Sequence, residues 1–169
     1  MAAMSAVFKK LNLKDHGVIV VANAPSSFES EIASLSGVSV RRSLTGGAPV
    51  AFSLAFVTKQ PEVDALAKLV AQYTSGDAIV WFAYPKQSSK RYKSEIDRDR
   101  GWASLGAAGF EPVRMVAIDD DWSAKRFRRV GFIKTLSRPR EVALSVAGKA
   151  KAGAAKKSAK PKPKPTTRK

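Results

Sequence analysis

The sequence predicts an α/β fold: a three-layer domain with a mixed, mostly parallel sheet of five or six strands, followed by a disordered basic tail. Three observations lead there. Short apolar runs alternate with amphipathic stretches from residue 51 to 119, a βαβαβ order whose right-handed crossovers make the strands parallel. Hydrophobic residues make up 44% of a 169-residue chain, enough for one sizeable core and too few for a membrane protein. Finally, nine cations and no acid follow Ser145, a composition that cannot bury enough apolar surface to offset its ordering entropy.

Each element has a local reason. GVIVVA (17–22) is a continuous apolar run and reads as a buried strand. Ser26 and Glu29 have capping-box spacing, Phe28, Ile32 and Leu35 supply an apolar face, and Gly37 marks the stop of a helix. VSVRRSL (38–44) is a second strand, TGGAP a turn and AFSLAFVT (51–58) a third strand. A link of about five residues is too short for a parallel crossover, so strands two and three are expected to be antiparallel if they pair. Pro61 opens a helix on which Val63, Leu66, Leu69, Val70 and Tyr73 recur at helical spacing. AIVWFAYP (78–85) is the most apolar strand and is placed at the sheet centre. SEID (94–97) repeats the capping-box spacing and opens a helix that runs to Gly109. PVRMVAID (112–119) is a fifth strand. After the turn DDDWS, KRFRRVGFI is a sixth, antiparallel and at an exposed edge, because it carries charge on both faces. The domains are thus an N-terminal segment 1–16, an α/β domain 17–137, and a Lys/Ala/Pro-rich tail 138–169.

Composition removes several activities. Without cysteine there are no disulfides, thiolate metal sites or thiol nucleophiles. One histidine, His16, excludes any site that needs two, and no serine can be placed beside it as part of a triad. No apolar run approaches the roughly 18–20 residues that span a bilayer, and the N-terminus is a poor signal peptide. The expectation is a cytoplasmic chain with no membrane partner.

From Asp77 to Val130 the chain resembles a small bacterial family, the domain of unknown function catalogued as 3052. AIVWFAYPK (78–86), the helix start at Glu95-Ile96, AAGF (107–110) and DDDWSAKRF (119–127) carry the resemblance. It departs after Lys86, where relatives often have a glycine-containing loop and this chain has QSSKRYK. The family implies a fold and no reaction.

Two groups of residues could carry chemistry. Ligands of open α/β sheets bind beyond the carboxyl ends of the strands. That rim is expected to gather Lys59, Lys86, Ser88, Ser89 and Lys90 as anion-binding candidates, beside Asp119, Asp121 and Trp122. A phosphate or nucleotide pocket and a merely solvated loop both account for the first set. For the aspartates, a turn explains the cluster without any metal, since neighbouring strand residues point to opposite faces; no metal and no cofactor is called for. Trp81 is core, and Trp102 and Trp122 cover the sheet end.

The second group is basic. Lys125, Arg126, Arg128 and Arg129 could grip a phosphate backbone or simply guard an edge. The tail adds Lys149, Lys151, Lys156, Lys157, Lys160, Lys162, Lys164, Arg168 and Lys169 to a net charge of +16, in a composition similar to linker-histone tails. Nine phosphate contacts would give a log–log salt slope of about −8. The first expectation is therefore a binding protein tethered to DNA or RNA by sequence-independent contacts, with nucleoid association. The alternatives are a phosphate- or nucleotide-binding domain or enzyme at the Lys86–Asp119 rim, and a protein-interaction scaffold.

Overall fold

In the computed structural model, which describes residues 5–133, six strands form one sheet in the order β2-β1-β3-β4-β6-β5. These are β1 (Val18–Ala22), β2 (Ser39–Arg41), β3 (Val50–Phe56), β4 (Thr74–Pro85), β5 (Phe110–Ala117) and β6 (Trp122–Arg129). The helices are α1 (Ala6–Lys10), α2 (Glu29–Ala33), α3 (Gln60–Tyr73) and α4 (Ala103–Ala107). β1, β2, β3 and β4 pair in parallel, while β6 runs antiparallel to both β4 and β5. The mixed six-stranded α/β sheet is as the alternation of apolar runs predicts. The tail 138–169, including the nine cations that follow Ser145, lies outside the described residues.

Two cores flank the sheet. On one face Val63, Leu66, Ala67 and Val70 of α3 and Leu105 of α4 pack over Val80, Phe82, Phe110 and Phe127. On the other, Phe8 of α1 with Phe28 and Ile32 packs over Ile19, Val21, Phe52, Leu54 and Trp81. The segment before residue 17 thus contributes Phe8, Leu11 and Leu13 to the core, and the fully buried Trp81 donates its Nε1–H to the Leu11 carbonyl at 2.8 Å.

Four expectations are corrected. β2 and β3 do not pair; β1 lies between them and is parallel to both. The crossover argument failed because β2 has three residues, a run of about 10 Å, and residues 42–49 can reach back over roughly 26–29 Å. Arg41 organises that return, donating to the carbonyls of Leu44 (3.1 Å) and Ala48 (2.9 Å) while the Leu44 side chain is buried.

The helix expected from Ser26 is a 3-10 turn and five residues of α2, with no side-chain cap, because Glu29 instead forms a two-pronged pair with Arg42 at 2.9 Å. The helix expected from Ser94 is reduced to α4. Ser94 Oγ is turned to the Ile96 amide and carbonyl, Asp97 closes a turn on Asp99 and Arg100, and Gly101 takes φ +103. Lastly, β6 is an interior strand and β5 the edge.

Trp81→Phe should strand the Leu11 carbonyl in the core and lower stability by about 1–3 kcal/mol. A urea titration would show the shift, with the loss of α1 packing visible as faster exchange of amides 8–13.

Candidate ligand site at the carboxyl rim

β3 and β4 end side by side, and the chain leaves β4 over a long irregular stretch, residues 86–102, before α4. Three contacts fix this stretch over the rim. Lys86 N–H donates to the Asp121 carbonyl at 2.7 Å, Glu95 N–H to the Thr58 carbonyl at 2.8 Å, and the Glu95 carboxylate accepts from Gln60 N–H at 2.9 Å. Trp102 then closes its far end, donating its Nε1–H to the Asp97 carbonyl at 2.9 Å.

Two clefts open beneath and beside this stretch, of about 780 and 390 Å³. They share Pro85, Lys86, Gln87, Asp97 and Arg100 as walls. The larger adds Tyr84, Ser88, Arg98, Asp99, Met115 and Ser123; the smaller adds Ser89, Tyr92, Lys93, Ser94, Glu95 and Ile96. Asp97 is held below the usual carboxylate range, first by the Asp99 N–H and then by the Arg100 guanidinium at 2.9 Å. Burial pushes the Tyr84 phenol up, so at neutral pH it is an uncharged donor.

The sequence-predicted residues separate. Lys86 and Ser88 line the larger cleft, and Lys86 lines both. Ser89 is engaged internally, donating to Asp121 Oδ1 at 2.8 Å and accepting from Tyr92 N–H at 3.2 Å. Lys90 is exposed and lines neither cleft. Lys59 stands exposed before α3, where carboxylates of this chain already take the free amides: Glu62 accepts from Thr58 N–H and Lys59 N–H, and Glu95 from Gln60 N–H.

Asp119 closes a turn, accepting from Asp121 N–H and Trp122 N–H at 2.8 Å each, which is the geometry the turn reading predicts. It does not line the clefts; Asp97 and Asp99 supply the acid there. Among the described residues no group of three or more His, Asp or Glu could hold a metal ion. Trp122 is buried between Phe56 and Tyr92, as expected of a rim cover, with its Nε1–H enclosed and without an acceptor. His16 sits before β1, at the opposite end of the sheet, accepting from Lys14 N–H at 3.1 Å.

Sequence reasoning missed Asp97, Arg98 and Arg100, having read DRDRG as helix interior. The signal was present: an Asp two and three residues before amides it can cap, with Gly101 closing the stretch, is turn chemistry.

The basic ladder of β6 is likewise corrected. Lys125 is buried, with its Nζ bonded to the Arg98 carbonyl and 5.6 Å from the centre of the Trp102 ring. Arg128 makes a two-pronged pair with Asp77 at 2.7 and 2.6 Å. Arg129 donates to the carbonyls of Gly76 and Thr74 at 2.8 Å and lies over Phe110 at 4.9 Å. Three of the four cations serve internal bonding, because β6 is interior and not an edge.

Asp97→Asn should lower stability at neutral pH by on the order of 1 kcal/mol, the net worth of a hydrogen bond. Because folding depresses the Asp97 pKa, its contribution is complete above the ordinary carboxylate value and is lost as pH falls through the folded one. The gap between wild type and variant in urea midpoint should therefore be widest at pH 7 and close in acid.

No family model matches the chain, and no curated protein matches it. Solved structures do. A SAM-dependent methyltransferase from Aquifex aeolicus aligns over 72% of this chain and 87% of its own, at 14% identity and a TM-score of 0.50. The N-methyltransferase NodS from Bradyrhizobium japonicum WM9 aligns over 73% and 92%, at 9% identity and 0.49. The domain shares the Rossmann-like α/β fold of the Aquifex protein. No described helix is long and apolar enough to cross a membrane. The expectation of a chiefly nucleic-acid-associated protein is overturned by this fold and by the internal bonding of β6; the alternative of a ligand-binding domain or enzyme at the carboxyl rim is the closer one.

Proposed function

We propose that this domain binds a small phosphate-bearing ligand, of nucleotide kind, in the paired clefts around Lys86, as a ligand domain or enzyme built on the methyltransferase fold. The observation that carries the reading is that both clefts converge on Lys86 at the carboxyl end of the central strand β4, where open α/β sheets place their ligands. Lys86 makes no side-chain bond among the described residues, while Arg98 and Arg100, paired with Asp99 at 3.8 Å and Asp97 at 2.9 Å, stand exposed on the wall of the larger cleft. An ammonium and two guanidinium groups facing one opening suit a phosphate. Ionised Asp97 and the neutral Tyr84 phenol keep those charge states through neutral pH. The chemistry these residues support is therefore anion binding and charge stabilisation, with the Tyr84 hydroxyl as a donor.

Methyl transfer from S-adenosylmethionine is the reaction that the name of the Aquifex protein suggests, and the residues here do not fit that cofactor. In such a sheet a nucleoside-bearing cofactor lies at the switch point, here between the ends of β1 and β3. The chain from residue 18 to 36 has no glycine to admit it, and Asn23 occupies the left-handed region at φ +59. Beside that point the rings of Phe28, Phe56, Trp122 and Tyr92 stand in series, with centroids 4.9–5.1 Å apart. The amides that begin α3 already hold Glu62 and Glu95.

Thermal unfolding in the presence of adenosine monophosphate tests the proposal. At 100 times its Kd the nucleotide should stabilise the fold by about 2.7 kcal/mol. Lys86→Ala should remove most of that gain at unchanged ligand-free stability, and S-adenosylmethionine should give none. An equal shift in Lys86→Ala, or no shift at saturating nucleotide, would sink the reading.

A further inference from the structure

A group of arginines lies on the β5–β6 pair, on the side of the sheet opposite Tyr84. β5 carries an irregularity between Pro112 and Arg114: Pro112 pairs with Phe127, but it is Arg114, not Val113, that pairs with Arg126. Without the extra residue Val113 would face Arg126, and Arg114 would point to the other face beside Lys125. Bulges of this kind re-aim a side chain, and they are common next to functional sites. Here the bulge sets two arginines directly opposite each other, with Cβ atoms about 5 Å apart by strand geometry.

Such an arrangement is costly by itself. Like charges directly opposite on paired strands are destabilising. Arg128, two residues from Arg126, projects from the same face and adds a third guanidinium. Asp77 takes two hydrogen bonds from Arg128 and is thereby occupied. Glu111, fully buried, stands opposite Arg128 in the next same-face pair after Arg114–Arg126. Neither Arg114 nor Arg126 has an ion pair among the described residues, and Arg126 Nε is enclosed with no hydrogen-bond partner. Burial, then Arg128 and Arg114, all weigh against the charged form of Arg126, and Asp77 alone favours it. Trp81, the β4 neighbour of Arg126 on this face, is buried beneath α1, so the pair sits beside a rigid wall.

We propose that Arg114 and Arg126 together bind a tetrahedral oxyanion of the phosphate class, with Arg128, fixed by Asp77, at its margin. Two guanidinium forks across one strand pair present parallel N–H donors, the geometry that oxyanions accept in two-pronged fashion. The anion neutralises the opposed pair. This site does not depend on the Lys86 clefts, which open on the other side of the sheet.

Thermal midpoints of the full chain in inorganic phosphate and in chloride, at matched ionic strength, test the proposal. Phosphate should raise the wild-type midpoint by about 4 °C. Phosphate also strengthens apolar burial in any protein, so the decisive quantity is the difference from Arg114→Gln. That variant lies on an exposed edge strand and keeps the core. In chloride Arg114→Gln should match or exceed the wild-type midpoint, since it removes a repulsion; in phosphate the wild type should overtake it. Arg126→Lys, which keeps the charge and loses the fork, should also lose most of the phosphate gain, whereas Lys86→Ala should retain it. An equal phosphate response in wild type and Arg114→Gln would overturn the proposal, as would a lower midpoint of Arg114→Gln by the same amount in both salts. Because the nucleotide response is read in Lys86→Ala and the phosphate response in Arg114→Gln, either site can fail alone.

Discussion

β6 enters the sheet between β4 and β5, and its pairing with β4 from Val80↔Phe127 to Pro85↔Trp122 sets most of what lies around it. Pairing Pro85 with Trp122 brings the 119–121 turn to the end of β4, where the Asp121 carbonyl takes the Lys86 amide. The chain must then leave β4 sideways, and residues 86–102 run across the rim because no strand position remains beside them. The same insertion buries Lys125, whose ammonium must then meet polar or aromatic groups of the chain, among them the Arg98 carbonyl and the Trp102 ring. Lys125 thus holds the 97–100 turn that roofs the larger cleft. One antiparallel pairing accounts for the floor, the exit and the roof of that cleft.

Much of the fold was legible because its signals are local and redundant. AIVWFAYP could be placed at the sheet centre since a strand covered on both faces has no reason to alternate, and it is covered by α3 on one side and α1 on the other. The α3 helix was legible for the opposite reason, as Val63, Leu66 and Val70 recur on one side only. What could not be read was strand order. Whether a charged strand lies at an edge or inside depends on partners distant in sequence: Asp77 for Arg128, Gly76 and Thr74 for Arg129, the Arg98 carbonyl for Lys125. Charge on both faces looks the same in the sequence whether it meets water or such partners.

The candidate site was legible to a similar depth. Lys86 and Ser88 were found because a Lys-Ser loop after the most apolar strand is a rim loop wherever that strand ends. Asp97, Arg98 and Arg100 were hidden by competition for Ser94 and Glu95. Ser-x-x-Asp spacing favours a helix start, but Glu95 gains more by closing on Gln60 N–H, at the positive end of a 14-residue helix. That long-range bond outweighs the local cap, and the residues released from helix become the roof of the cleft.

The same carboxylate explains how this chain departs from a cofactor-binding sheet. A helix that starts beside a switch point is a ready anion site, and its amides must be satisfied by something. Here Glu62 satisfies those of Thr58 and Lys59, and Glu95, carried in by the 86–102 stretch, satisfies that of Gln60. With two negative charges of its own already in place, the α3 start would repel a phosphate and not draw one. The rings of Phe28, Phe56, Trp122 and Tyr92 occupy the apolar side of the same region. Cationic groups that remain without carboxylate partners are instead found one strand further along, at Lys86, and on the opposite face, at Arg114 and Arg126. On the two proposals above, an anion is kept from the switch point by the chain's own carboxylates and would be received instead at the end of β4 and on the β5–β6 face.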